Sequence, residues 1–99
     1  MELNPPARIK FMAQSVASIL LIADALMLSL VEQQEGKVLG MGRRIHPGLT
    51  SEDIRNPQDF EDLMGNPQWN FEDGILAGIR SAHMALRARL IELNDSDAR

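Results

Sequence analysis

Between Pro6 and Gly36 the chain carries neither glycine nor proline, an uninterrupted run that suits one long helix better than anything else. Asn4-Pro5-Pro6 supplies its start, because asparagine caps and proline tolerates a first turn whose N–H groups have no helical partner anyway. Ile9, Met12, Val16, Ile19, Leu20, Ala23, Leu26, Met27, Leu30 and Val31 then recur at helical spacing and predict one apolar stripe. Phe11, Leu21, Ile22 and Leu28 fall off that stripe, so the helix is apolar nearly all round and a single partner helix cannot cover it. These four residues are assigned to an oligomer interface.

A second helix is expected to start near Asn70, with Asp73 three residues on as a capping-box-like pair, and to run to about Leu93. Ile75, Ile79, Ala82, Leu86, Leu90 and Leu93 form its main stripe. Gly74, Gly78, Ala82 and Ala85 add a band of small residues. Glycine inside a helix is costly, so the band, with Gly74, Gly78 and Ala82 at its centre, predicts close packing against another helix. The fold class that follows is all-α: two long helices, about 5–35 and 70–93, in a single domain of residues 1–99, completed by oligomerisation.

The connector between them is expected to hold short pieces. Gly36-Lys37-Val38-Leu39-Gly40-Met41-Gly42 reads as the end of the first helix. Thr50 with Asp53, and Asn56-Pro57 with Asp59, each read as a cap opening a turn or two, and Gly65 as a stop. Asn66-Pro67-Gln68 repeats the Asn56-Pro57-Gln58 start. Charge divides here: residues 36–50 carry Lys37, Arg43 and Arg44 and no acid, whereas residues 51–73 carry seven acids against Arg55 alone. A solvated connector with acids at helix starts accounts for this pattern.

Composition narrows the chemistry. Without cysteine there is no disulfide, thiolate zinc site or cysteine nucleophile, and a reducing, cytoplasmic setting is expected. A net charge of −4, a single tryptophan and no tyrosine argue against a general nucleic-acid binder. Residues 11–31 hold sixteen apolar residues among twenty-one, long enough to span a bilayer, but Asp24 sits in the middle where an ionisable group is costly. A soluble bundle helix is therefore expected rather than a membrane span or a signal sequence.

Gly40-Met41-Gly42-Arg43-Arg44-Ile45-His46 predicts a turn able to cradle a phosphate or carboxylate through Arg43, Arg44 and His46. It lacks the lysine–serine pair of a nucleotide-binding loop. Two histidines, His46 and His83, do not make a zinc site by themselves, and no metal or cofactor is expected. Glu32-x-x-Glu35 followed by Asp59-x-x-Asp62 resembles the paired acidic motifs of the all-α metal-dependent nucleotide pyrophosphohydrolases, with Asp where that family has Glu in the second motif. The resemblance implies Mg²⁺ held by clustered carboxylates against substrate phosphates. Fourteen acids in 99 residues also produce pairs at that spacing by chance.

Counting back from Glu35 and forward from Phe71 along two antiparallel helices sets Asp24 level with Ala82 and His83. A partly buried carboxylate needs a partner, so Asp24 and His83 are expected to pair, with Arg80 and Arg87 as alternatives. The functional expectation is a non-enzymatic helical interaction module that self-associates through its first helix, with a protein partner also possible in kind. A small-molecule or phosphate binder using the Gly40–His46 turn, and a pyrophosphohydrolase-like enzyme, are the alternatives.

Overall fold

The computed structural model describes the backbone of residues 5–97 and the side chains of residues 15–95. Two long helices, α1 (Pro5–Ile45) and α3 (Pro67–Asp97), form an antiparallel hairpin. Between them lie two single-turn 3₁₀ segments, Asp53–Arg55 and Pro57–Asp59, and the short helix α2 (Glu61–Met64). Forty-one residues at a helical rise make α1 about 60 Å long. The molecule is correspondingly elongated, 63 × 29 × 20 Å.

The helices meet along a seam with a seven-residue repeat. On α1 it is Leu20, Asp24, Met27, Val31, Gln34, Val38, Met41 and Ile45; on α3 it is Trp69, Glu72, Leu76, Ile79, His83, Leu86 and Leu90. All fifteen are buried or half-buried. Steps of three and four keep each residue on the facing side. The fully packed part of the core lies at the connector end, where Val38, Leu49, Ile54, Leu63, Trp69 and Leu76 are all nearly sealed from solvent. Trp69 is its largest member, and its indole N–H donates to the Val38 carbonyl at 3.1 Å. Away from the connector, the described residues form a two-helix stem.

The first helix does not stop near residue 35. It runs ten residues further, through Gly36 and Gly40, to Ile45. Each helical glycine costs about 1 kcal/mol relative to alanine, but burying a side chain such as Val38 returns roughly 1.5–3 kcal/mol, and Met41 and Ile45 also face the core. Gly42 is required for packing rather than for a turn: a Cβ there would lie 2.5 Å from Leu49 Cδ2 and 3.2 Å from the Trp69 indole nitrogen. The real stop is His46-Pro47-Gly48, where Gly48 takes φ of +87°, a conformation that favours glycine.

In the connector one expected cap forms and one does not: Asn56 makes no side-chain cap and its Nδ2 donates back to the Glu52 carbonyl at 3.4 Å, whereas the Thr50–Asp53 pair closes. Thr50 N–H donates to Asp53 Oδ2 at 2.8 Å, and Asp53 N–H donates back to Thr50 Oγ1 at 3.2 Å. Gly65 closes α2. The second long helix begins earlier than Asn70: Asn66 Oδ1 accepts from Trp69 N–H at 2.9 Å and Pro67 occupies the first turn, while Asn70 instead donates to the Met64 carbonyl at 2.8 Å.

Candidate functional site

Two polar layers interrupt the apolar seam. In the first, His83 Nε2 lies 2.9 Å from Asp24 Oδ1, and Arg87 Nε donates to the same oxygen at 3.1 Å. His83 is 8% exposed, so its ring needs the carboxylate as partner. The Arg87 guanidinium, helped by the His83 N–H and opposed by desolvation, holds the Asp24 carboxyl below its ordinary range. In the second, Gln34 Nε2 donates to Glu72 Oε2 at 2.6 Å and to the Glu72 carbonyl at 2.9 Å, while Lys37 Nζ sits 3.0 Å from Glu72 Oε1. Gln34 and then Lys37 lower the Glu72 carboxyl. Each layer has partners on both helices and matches only one register, a specificity device of the kind that polar residues in helical seams supply.

The Gly40–His46 segment is helix up to Ile45, not a turn, so the amides of Gly40–Gly42 are spent on helical bonds and form no anion cradle. Arg43 folds back and its Nε donates to the Leu49 carbonyl at 2.8 Å, clasping the turn that ends α1. His46 Nδ1 lies 2.9 Å from Asp62 Oδ2, with its ring edge-on to Phe60 at 4.8 Å. Arg44 points to solvent. The three residues serve different neighbours and do not converge.

Nor do the four acids shared with the pyrophosphohydrolase pattern. Glu35 pairs with Arg80 at 3.3 Å and Asp62 with His46. Among the described residues, no three His, Asp or Glu side chains are grouped closely enough to hold a metal ion. The residues therefore do not fit the Mg²⁺ that the resemblance implies.

Gly74 and Gly78 meet no atom within 4 Å of an added Cβ, and Ala82 is exposed. The close packing expected of this band is not made within the chain, because α1 lies along a different face of α3. The interface set divides as well. Ile22 is 67% exposed and points directly away from the seam, whereas Leu21 and Leu28 flank it on the Glu35 side; the side chain of Phe11 lies outside those described.

A single feature unites these findings. On both helices the centre of the apolar arc is rotated off the seam. On α1, Ile19, Leu26 and Leu30 stay exposed; on α3, Phe71 and Ile75 do, followed along the same side by Gly78 and Ala82. Because the helices are antiparallel, the two rotations bring both sets to the same side of the hairpin, forming one apolar face between the Lys37–Glu72 pair at the connector end and the Arg89–Glu92 pair at the other. The opposite side carries the Arg80–Glu35 and Arg87–Asp24 ion pairs. Trp69 and Arg87 are eighteen residues apart, as are Asp24 and Gly42, and eighteen residues make about five helical turns. The connector, packed on Gly42 and Trp69, therefore covers the ion-pair side and leaves the apolar face bare. This face was hidden in the sequence by the breadth of the stripes, which do not say which part meets α3. No family model, no curated protein and no solved structure matches this chain.

Proposed function

We propose that this chain is a non-enzymatic α-helical interaction module whose activity is self-association: two hairpins pair through their apolar faces and close a four-helix bundle, most simply as a two-fold dimer. The observation that carries this reading is the uncovered face shared by α1 and α3. Its scale fits. The chain exposes 7421 Å², whereas a compact protein of its 11.0 kDa exposes about 5,600 Å². The excess is larger than the roughly 800 Å² that each partner gives up in a standard interface.

A membrane-spanning reading draws on the same helix. Ser15–Ile45 is long and apolar enough to cross a bilayer, with a mean hydropathy of 1.9 in its most apolar window and only 6% of that window buried. However, α3 runs beside it and places Arg80 and Arg87 at the same depth, bonded to Glu35 and Asp24. Inserting α1 would strip these partners from two carboxylates, a cost that pairing with a second hairpin avoids.

Leu26→Glu and Leu28→Glu test the proposal as a pair, since two residues along a helix stand about 200° apart and these face opposite sides, Leu28 being one heptad before Glu35. Light scattering at micromolar concentration is expected to show association lost in Leu26→Glu and kept in Leu28→Glu. Equal behaviour of the two variants contradicts the assignment of the apolar face.

A further inference from the structure

We infer that the two copies lie side by side with their connector ends together, so that each α1 packs over the partner's α3. This rests on the self-association proposed above and specifies its geometry. A two-fold axis can bring two copies of one face together in only two ways. An axis along the helices stacks α1 on the partner's α3, keeps every level unchanged and puts both connectors at one end. An axis across the helices stacks α1 on α1 and α3 on α3, with the connectors at opposite ends.

The levels are set by the seam, where Val38 bonds Trp69, Gln34 bonds Glu72 and Asp24 meets His83. By that register Leu30 is level with Gly78 and Leu26 with Ala82. Under the first arrangement, these two large exposed side chains of one copy therefore sit over two small residues of the other, along one turn of helix. The reverse also holds at the connector end, where Phe71, 68% exposed, comes level with Gly36, which has open space around it. Under the second arrangement, small residues face small residues across α3 and large face large across α1. One contact would be left with voids while the other held the helices apart, which close packing disfavours. In the first, symmetry makes both cross-hairpin contacts identical. Both connectors lie on the outer, ion-pair sides, so sharing one end brings no collision.

The chain has no cysteine, so introduced ones report cleanly. Leu26→Cys and Ala82→Cys proteins, each exposed at the altered site in the hairpin, are refolded separately and as a mixture and then oxidised. The expected result is a disulfide-linked dimer in the mixture and none from either protein alone, because a bridge needs Cβ atoms about 4 Å apart. Self-linked dimers of the single variants overturn the arrangement while leaving self-association intact. A spin label on Ser51→Cys, at an exposed connector site, gives an independent reading. Two labels within the bundle's width are expected; a separation comparable to most of the 63 Å length overturns the inference. Wild-type protein that sediments as a monomer removes the reading on which it rests.

Discussion

Gly40 and Gly42, two residues apart on α1, should respond to an added methyl group in opposite ways. An added Cβ at Gly40 meets nothing within 4 Å, so Gly40→Ala is expected to stabilise the fold by about 0.5–1 kcal/mol through the unfolded chain's lost freedom. At Gly42 the same methyl meets Leu49 and the Trp69 indole, both buried, so Gly42→Ala is expected to cost about 1–3 kcal/mol through overpacking. Urea unfolding of the two variants checks the pair; equal midpoints would contradict the packing described. Both glycines read in the sequence as helix terminators. What composition could not tell was that one is tolerated in an exposed turn and the other is demanded by an indole arriving from twenty-seven residues away.

Asp24 carries a second residue-scale prediction. Its carboxyl is lowered in the folded protein, chiefly by Arg87 and also by His83, so its contribution is full above the unfolded pKa and is lost as pH falls through the lower folded value. Asp24→Asn should therefore be less stable than wild type at pH 7, and the gap should close as the pH drops below about 4. Glu72 and Asp62 are lowered in the same sense, by Gln34 with Lys37 and by His46, and weaken the hairpin over the same acid range. Asp73 runs the other way, because burial raises its carboxyl against the pull of Arg80. Denaturant midpoints at pH 7 and pH 3 measure the gap; one that stays constant would remove Asp24 from the acid response.

At the scale of elements, helix existence was legible and helix ends were less so. The Asn-Pro start of α3 works because Pro67 suits a first turn and the Asn66 side chain accepts the orphan N–H of Trp69, while Asn4, the cap expected for α1, lies outside the described residues. The end of α1 was obscured because glycine content is a local signal, whereas burial of Val38 and Met41 depends on a connector that returns to cover them. The Asp24–His83 contact could be reached by counting, since two rigid antiparallel helices turn one register into every other. The facing of each stripe could not, because an arc wider than one partner can cover leaves its seam undetermined. Gly78 tests that facing. Within the hairpin it lies open, so Gly78→Leu should leave the helical content intact while lowering a concentration-dependent melting temperature by several degrees, as the second copy is forced away. A melting temperature equal to or above that of wild type would place Gly78 on a solvent-facing surface in the assembled protein.

For the whole molecule, shape and surface point the same way. The radius of gyration is 19.8 Å, against about 13 Å for a compact domain of this length. Among the described residues only the connector end has a sealed core, and a chain of this size draws limited stability from a single small core. The stem beyond it shows Ile19 and Leu26 to solvent, each more than half exposed. A second hairpin would cover them and lengthen the core along the stem. The apolar circumference of α1 raises the expectation of a partner from the sequence, but not of the side such a partner would meet, which depends on where α3 and the connector lie.

Sedimentation equilibrium of the intact protein at micromolar concentration measures this most directly. The account predicts a single species of twice the 11.0 kDa chain mass, dissociating on dilution together with loss of helical signal. A fully helical 11.0 kDa monomer that persists unchanged up to high concentration would contradict it.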